Sequence, residues 1–189
     1  MLSPTLSKII NVVLYQIGWF SCVIGAAYGF PLSGALGALS LVALHLLLTD
    51  ARKAEIQLIL IACLLGVVID SLQQAVGLFT FKTDPRWPLW LPLWVFVIWA
   101  QFATLFRFAL HWLSGHYLLA ALFGALGGPL AYWGGIRLGA ADFGDSPWLT
   151  LMILALAWAL VMPLLLWLRQ KLASTEGLYR HNFERSNDA

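Results

Sequence analysis

The sequence predicts an all-α polytopic membrane protein, a bundle of six transmembrane helices with both termini in the cytoplasm. Of its 189 residues, 61% are hydrophobic and only 11% are charged, and the mean hydropathy is +0.82. This composition leaves too little polar surface to cover a soluble globule. Helices satisfy their own backbone hydrogen bonds in lipid, so we interpret the long apolar runs as membrane helices.

Six apolar segments are long enough to cross a bilayer. At a rise of about 1.5 Å per residue, each can span a hydrocarbon core of about 30 Å, some of them tilted. We expect residues 1–172 to form one transmembrane domain and residues 173–189 a short polar cytoplasmic tail. The predicted spans are about Ile9 to Tyr28, Pro31 to Leu48, Glu55 to Gly77, Trp90 to Leu113, Tyr117 to Leu138 and Trp148 to Leu168.

The distribution of basic residues predicts the orientation of the bundle, because lysine and arginine near helix ends stay in the cytoplasm. With both termini inside, seven basic residues are cytoplasmic and three are outside. The seven are Lys8, Arg52, Lys53, Arg169, Lys171, Arg180 and Arg185, and the three are Lys82, Arg86 and Arg137.

The first two predicted spans are joined by only Gly29-Phe30-Pro31, so they form an antiparallel hairpin. Gly25 and Gly29 stand four residues apart, as do Ser33 and Gly37. Small residues at this spacing let two helix backbones approach closely. We therefore expect these residues to pack the hairpin.

Polar side chains end the third predicted span. Asp70, Gln73 and Gln74 occupy positions i, i+3 and i+4, so they share one helix face. Arg137, at the outer end of the fifth span, is the candidate ionic partner of Asp70. One interpretation is a polar cluster that fixes this helix to its neighbours; the other is a carboxylate that accepts a proton or binds a ligand. The sequence leaves both open.

The fourth predicted span contains an arginine within the membrane, which costs about 3 kcal/mol at the bilayer centre on insertion scales. On a continuous helix, Thr104, Arg107 and His111 form one stripe, with Gln101 a turn further out. The planar guanidinium of Arg107 suits a carboxylate or a phosphate, which makes the stripe a candidate ligand site. Alternatively, Arg107 reaches to the cytoplasmic headgroups and serves no site.

The fifth predicted span is rich in glycine from Gly124 to Gly139. Pro129 removes one backbone donor, so we expect a kink there. Ala131, Gly135 and Gly139 form a smooth strip suited to close packing. These features predict that this helix lies at the centre of the bundle.

Aromatic residues on the connection after the third span, together with Trp94 and Trp148, predict an aromatic belt at the outer membrane surface. His45, His111 and His116 lie at a similar depth, but no carboxylate or cysteine stands at ligand spacing beside them. We therefore predict no metal and no cofactor. No familiar catalytic motif is present, and the basic residues do not cluster as a nucleic-acid surface requires.

Four stretches resemble a known family. They are Gln16-Ile17-Gly18-Trp19, Phe102-Ala103-Thr104-Leu105, Trp112-Leu113 and the run from Gly124 to Gly139. In these the chain is similar to small bacterial inner-membrane proteins that are grouped as a domain of unknown function. The resemblance covers nearly the whole chain and implies a bacterial inner-membrane location. Genes of this family tend to lie near enzymes similar to cyclopropane-fatty-acid synthases, which implies membrane lipids as partners.

Two classes of function follow from these observations. The first is an accessory or lipid-handling protein that binds a headgroup or a membrane-protein partner through its polar clusters. The second is a substrate-binding transport subunit, similar to the vitamin-capture components of energy-coupling transporters. A membrane-embedded lipid-modifying enzyme ranks third, because no catalytic motif supports it.

Overall fold

A computed structural model describes residues 3–85 and 87–187, without the side chains of residue 4 and of residues 175–187. Five of its helices are long and apolar enough to cross a membrane. The predicted fold class, a multi-pass membrane helical bundle, is confirmed. In chain order the elements are α1 (Pro4–Ala27), α2 (Pro31–Leu48), α3 (Arg52–Ala75), β1 (Phe79–Phe81), α4 (Leu93–Thr104), a 3-10 helix (His111–Leu113), α5 (Tyr117–Arg137), β2 (Ala141–Phe143) and α6 (Pro147–Asn187).

The two strands pair at one end of the bundle. They run antiparallel, with Phe79 opposite Phe143 and Phe81 opposite Ala141. Because β1 follows α3 and β2 joins α5 to α6, the pair holds three helix ends together. We call this end of the bundle the ribbon end.

Both the start of α1 and the later part of α6 lie at the opposite end, which we call the N-terminal end. The last turn of α1 is at the ribbon end, since a Cβ on Gly139 would lie 3.7 Å from that of Ala27. Helix α6 starts beside β2 and runs away from it. This geometry supports the prediction that both termini share one side of the membrane, and the assignment of that side to the cytoplasm stays a prediction.

The prediction of one continuous helix over residues 90–113 is wrong. Helix α4 has 12 residues, which gives a length of about 18 Å, and residues 105–110 continue as turns. Asn11 of α1 binds this end of α4. Its Nδ2 donates to the Thr104 carbonyl at 3.2 Å, and its Oδ1 accepts from the Ala109 amide at 3.3 Å. Asn11 therefore donates to a carbonyl that has no partner within α4, because the helix ends at Thr104.

The centre of the bundle belongs to α4, and the prediction of a central fifth helix is wrong. Helix α4 packs against α1, α2 and α3, whereas α5 packs mainly against α6. The contact with α6 uses Gly124 and Gly128, where an added Cβ would collide with Trp158. Ala131 and Gly135, expected to form the packing strip, face a cavity instead. The helix itself continues without interruption through its proline.

The hairpin of α1 and α2 is closely packed, as predicted, through a different pair of glycines. Gly25 lies against the backbone of Gly34, and the Ser21 hydroxyl donates to the Gly34 carbonyl at 3.1 Å. Gly29 lies in the connecting turn with a φ of 82°, a conformation that glycine adopts without a steric penalty.

The segment predicted as a polar tail continues the last helix. Helix α6 extends to Asn187, so residues 173–187 have a helical backbone, and residues 188 and 189 lie outside the described residues. The division of the chain at residue 172 and the cytoplasmic location of the tail stay predictions.

Candidate functional site

A cavity lies at the ribbon end, between α1 and α5 and beneath β2, with about 70 Å³ of space open to the centre of a water-sized sphere. Small residues of α5 and β2, among them Ala131 and Gly135, give it room. Most of the remaining wall is aromatic, from α1, α4, α5, α6 and β1. The aromatic residues that line it are Tyr15, Trp19, Phe81, Trp94, Trp99, Phe102, Tyr132 and Trp158.

Two of these rings were expected in an outer aromatic belt. Phe81 and Trp94 are both buried, and their rings meet edge to face with centroids 5.3 Å apart. The Trp94 indole donates to the Lys82 carbonyl at 2.9 Å. Both side chains therefore line the cavity and do not form a belt at the surface.

Asp70 of α3 is the carboxylate in the cavity wall, and it is fully buried. The Tyr132 hydroxyl donates to its Oδ1, and the Trp99 indole donates to its Oδ2 at 2.8 Å. The Trp99 ring stacks on Trp158, with centroids 4.9 Å apart and an interplanar angle of 10°. The carboxylate is therefore held by two neutral aromatic donors whose rings are themselves packed.

The predicted pairing of Asp70 with Arg137 is wrong. No ion pair in the described part of the chain includes Asp70, and the Arg137 guanidinium lies 5.9 Å from the centroid of the Trp133 ring. Tyr132 faces Asp70, and a helix turns by about 140° over the five residues from Tyr132 to Arg137. Arg137 consequently points away from the carboxylate, and it is exposed.

Gln73 and Gln74 share the helix face of Asp70 but do not join it at one site. Gln74 accepts a hydrogen bond from the Phe81 amide at 3.1 Å and donates to the Trp90 carbonyl at 3.4 Å. It therefore fixes the ribbon to α3. Gln73 is buried, and its Oε1 has no hydrogen-bond partner within the described residues.

Gln101 and Thr104 of α4 both have structural partners. The Gln101 amide donates to the Ala38 carbonyl of α2 at 2.7 Å, and Gly18 of α1 provides the space for it, because a Cβ there would collide with the amide. The Thr104 hydroxyl donates back to the Gln101 carbonyl at 2.7 Å. The first contact joins α4 to α2, and the second lies within α4.

Arg107 belongs to a second polar cluster, at the N-terminal end. Its Nη1 lies 3.8 Å from Oε1 of Glu55, and the other oxygen of Glu55 lies 3.0 Å from Nε2 of His45. His45 and Glu55 are buried, and the Arg107 side chain is 24% exposed. Arg169 of α6 interacts electrostatically with both Glu55 and Arg107. We call these four residues the glutamate cluster.

His111 does not join Arg107, because the helix that would have aligned them ends at Thr104. His111 lies in the 3-10 helix and is exposed, as is His116 at the start of α5. Among the residues that the structure describes, no three His, Cys, Asp or Glu side chains lie close enough together to hold a metal ion.

Sequence reasoning missed the aromatic partners of Asp70 and the role of Glu55. A donor such as Tyr132 gives no local signal, because its meeting with Asp70 depends on how α3 and α5 pack. Glu55 does give one. His45 stands three residues before the end of α2, and Glu55 stands three residues after the start of α3. Adjacent antiparallel helices place such residues at the same depth.

Comparisons with known proteins identify a family and no activity. The family described as "Protein of unknown function (DUF2878)" matches residues 8–164, most of the chain. No curated protein and no solved structure matches the chain. The matched region contains α2 to α5 entire, most of α1 and the first part of α6, so the chain belongs to this family of unknown function.

Proposed function

We propose that the protein is a membrane-embedded binding protein that holds a lipid, or another small apolar molecule, in the aromatic cavity. This is the accessory, lipid-handling role that the sequence favours. The observation that carries the proposal is the wall of the cavity, in which eight aromatic residues surround one carboxylate. Sites for small molecules are usually apolar concavities with few polar groups that orient the ligand.

The cavity is open space within the folded chain. Gly135 is buried, yet a Cβ added to it would meet no atom within 4 Å. Helices α1 and α5 make few contacts with each other, so a molecule from the lipid can reach the cavity between them. An empty apolar cavity loses dispersion contacts along its lining, and a bound apolar molecule would restore them.

The proposal is tested by filling the cavity. Gly135→Leu places a side chain in the cavity, and its Cβ meets no neighbouring atom. We therefore expect this variant to reduce the amount of copurified small molecules at least tenfold. These are identified by mass spectrometry of gently solubilised protein. Gly127→Leu is the matched control, because Gly127 is on the same helix, is exposed, and also has no atom within 4 Å of an added Cβ.

Equal recovery of all copurified molecules from both variants and the wild type would contradict the proposal. A loss in both variants would assign the effect to α5 itself. Size-exclusion chromatography and the melting temperature show whether each variant is folded.

A second candidate is the substrate-capture subunit of a transporter. It is favoured by the position of the cavity at the ribbon end, which the basic residues predict to face outward. The same mass spectrometry separates the two functions. A copurified water-soluble metabolite would support the capture subunit, and a lipid would support the accessory protein.

A further inference from the structure

The glutamate cluster has more positive than negative groups. Arg107 and Arg169 each carry a guanidinium group, and both interact with the carboxylate of Glu55. One oxygen of that carboxylate is already taken by His45 at 3.0 Å. Two neighbouring guanidinium groups with one shared counter-charge repel each other, so the cluster would be stabilised by a further anion.

Arg107 has free donors. The distance of 3.8 Å to Glu55 is that of an ion pair and is too long for a hydrogen bond. In the described range, none of the five N–H donors of its guanidinium makes a hydrogen bond, and one ring contact, to Phe108 at 5.6 Å, covers part of it. The side chain is 24% exposed, so its head can be reached from outside the bundle.

The position of the cluster indicates the kind of anion. His45, Glu55 and Arg169 lie near the ends of α2, α3 and the membrane-spanning part of α6. In a bilayer, the ends of spanning helices lie close to the headgroup region. In the turn between α2 and α3, the buried Thr49 hydroxyl has no hydrogen-bond partner within the described residues, so it adds an unused polar group at this level.

We propose that the glutamate cluster is a binding site for a phosphate group. The guanidinium of Arg107 donates two parallel hydrogen bonds to the phosphate, and Glu55 holds the guanidinium in place. Arg107 is suited to this because its planar fork matches a phosphate. The phosphate belongs to an anionic lipid headgroup or to a free phosphate ion. This site is at the opposite end of the bundle from the aromatic cavity and does not depend on it.

The test compares two lipids that differ in the phosphate. Purified full-length protein is mixed with phosphatidylglycerol or with diacylglycerol of the same acyl chains, and bound lipid is counted by native mass spectrometry. The wild type should favour phosphatidylglycerol. Arg107→Ala should reduce that preference about tenfold or more, the loss expected for charge-assisted hydrogen bonds, and Arg107→Lys should reduce it less. Arg137→Gln, which removes an exposed arginine at the ribbon end, should leave it unchanged.

Inorganic phosphate, added in a second series, distinguishes the two sources. Competition with phosphatidylglycerol assigns the site to a free phosphate, and its absence assigns the site to the lipid headgroup. Arg107→Ala removes one of the two arginines that interact with Glu55. The double variant Arg107→Gln with Glu55→Gln removes both charges of the ion pair and controls for misfolding caused by an unpaired charge. An unchanged preference for phosphatidylglycerol in the folded Arg107 variants, or an equal loss in Arg137→Gln, overturns the proposal.

Discussion

Asp70 and Glu55 are buried carboxylates of the same helix, about 22 Å apart along its axis, and they are held in opposite ways. Asp70 is enclosed at the ribbon end by aromatic rings and accepts hydrogen bonds from two neutral donors. Glu55 lies at the N-terminal end between a histidine and two arginines. Arg107 and Arg169 are partly exposed, and they lie at the end where water or headgroups can reach them. Asp70 is enclosed, and its two donors are uncharged.

The largest expected effect is on membrane topology, that is, which side of the membrane each carboxylate is nearer to. A reporter fusion gives an all-or-none signal for this. Seven basic residues against three predict that a reporter fused after Ser174 is cytoplasmic and that one inserted near Thr83 is periplasmic. Paired alkaline phosphatase and green fluorescent protein fusions measure this. A reversed signal at either position would overturn the six-span topology, and a reversed signal at both would place the glutamate cluster on the outer side of the membrane.

The next effect is on stability at the N-terminal end. Glu55→Gln removes the carboxylate with which Arg107 and Arg169 both interact, and removing one partner of a buried ion pair costs about 3–5 kcal/mol. We therefore expect a clearly lower melting temperature in detergent.

Asp142→Asn is the control for this prediction. Asp142 pairs with Lys82 at 2.5 Å, but both side chains are at least half exposed, and exposed pairs contribute about 0–1 kcal/mol. Similar melting temperatures for the two variants would mean that Glu55 does not balance the arginines.

A smaller effect is expected at the ribbon end, where the interaction is a hydrogen bond. Asp70→Asn and Tyr132→Phe should be non-additive, with a coupling free energy of about 0.5–3 kcal/mol, because the two side chains contact each other directly. Asp70→Asn and Arg137→Gln should be additive. Double-mutant cycles from thermal unfolding measure both quantities. Coupling with Arg137 and none with Tyr132 would reverse the two assignments.

The sequence predicted the helices well where lipid alone decides the structure. Apolar length is enough to indicate α1, α2, α3, α5 and α6, since a backbone in hydrocarbon must bond to itself. Apolar length did not predict where the fourth helix ends, because α4 stops at Thr104. Residues 105–110 are apolar except for Arg107, but the Asn11 side chain provides hydrogen bonds there that a helix would otherwise supply.

The candidate sites were predicted in part. Asp70 and Arg107 stood out because charge is costly in a membrane, and each is part of a polar cluster in the structure. Their partners were not predictable from helix periodicity. The stripe of Thr104, Arg107 and His111 required a helix that ends too early, and the partners of Asp70 come from two other helices.

The strand pair also constrains the order in which the tertiary contacts can form during synthesis. Residues 79–81 pair with residues 141–143, and the hydrogen bond of Asp70 to Tyr132 spans a similar separation of 62 residues. The α1–α2 hairpin, by contrast, can form as soon as its second helix is inserted. During synthesis from the N-terminus, α3 and α4 are inserted first, and Asp70 can then accept from Trp99 of α4 but not yet from Tyr132 of α5. A nascent chain arrested before residue 132 lacks both β2 and the Tyr132 donor to Asp70, which makes Asp70 a polar group that a chaperone or an insertase can protect during that interval.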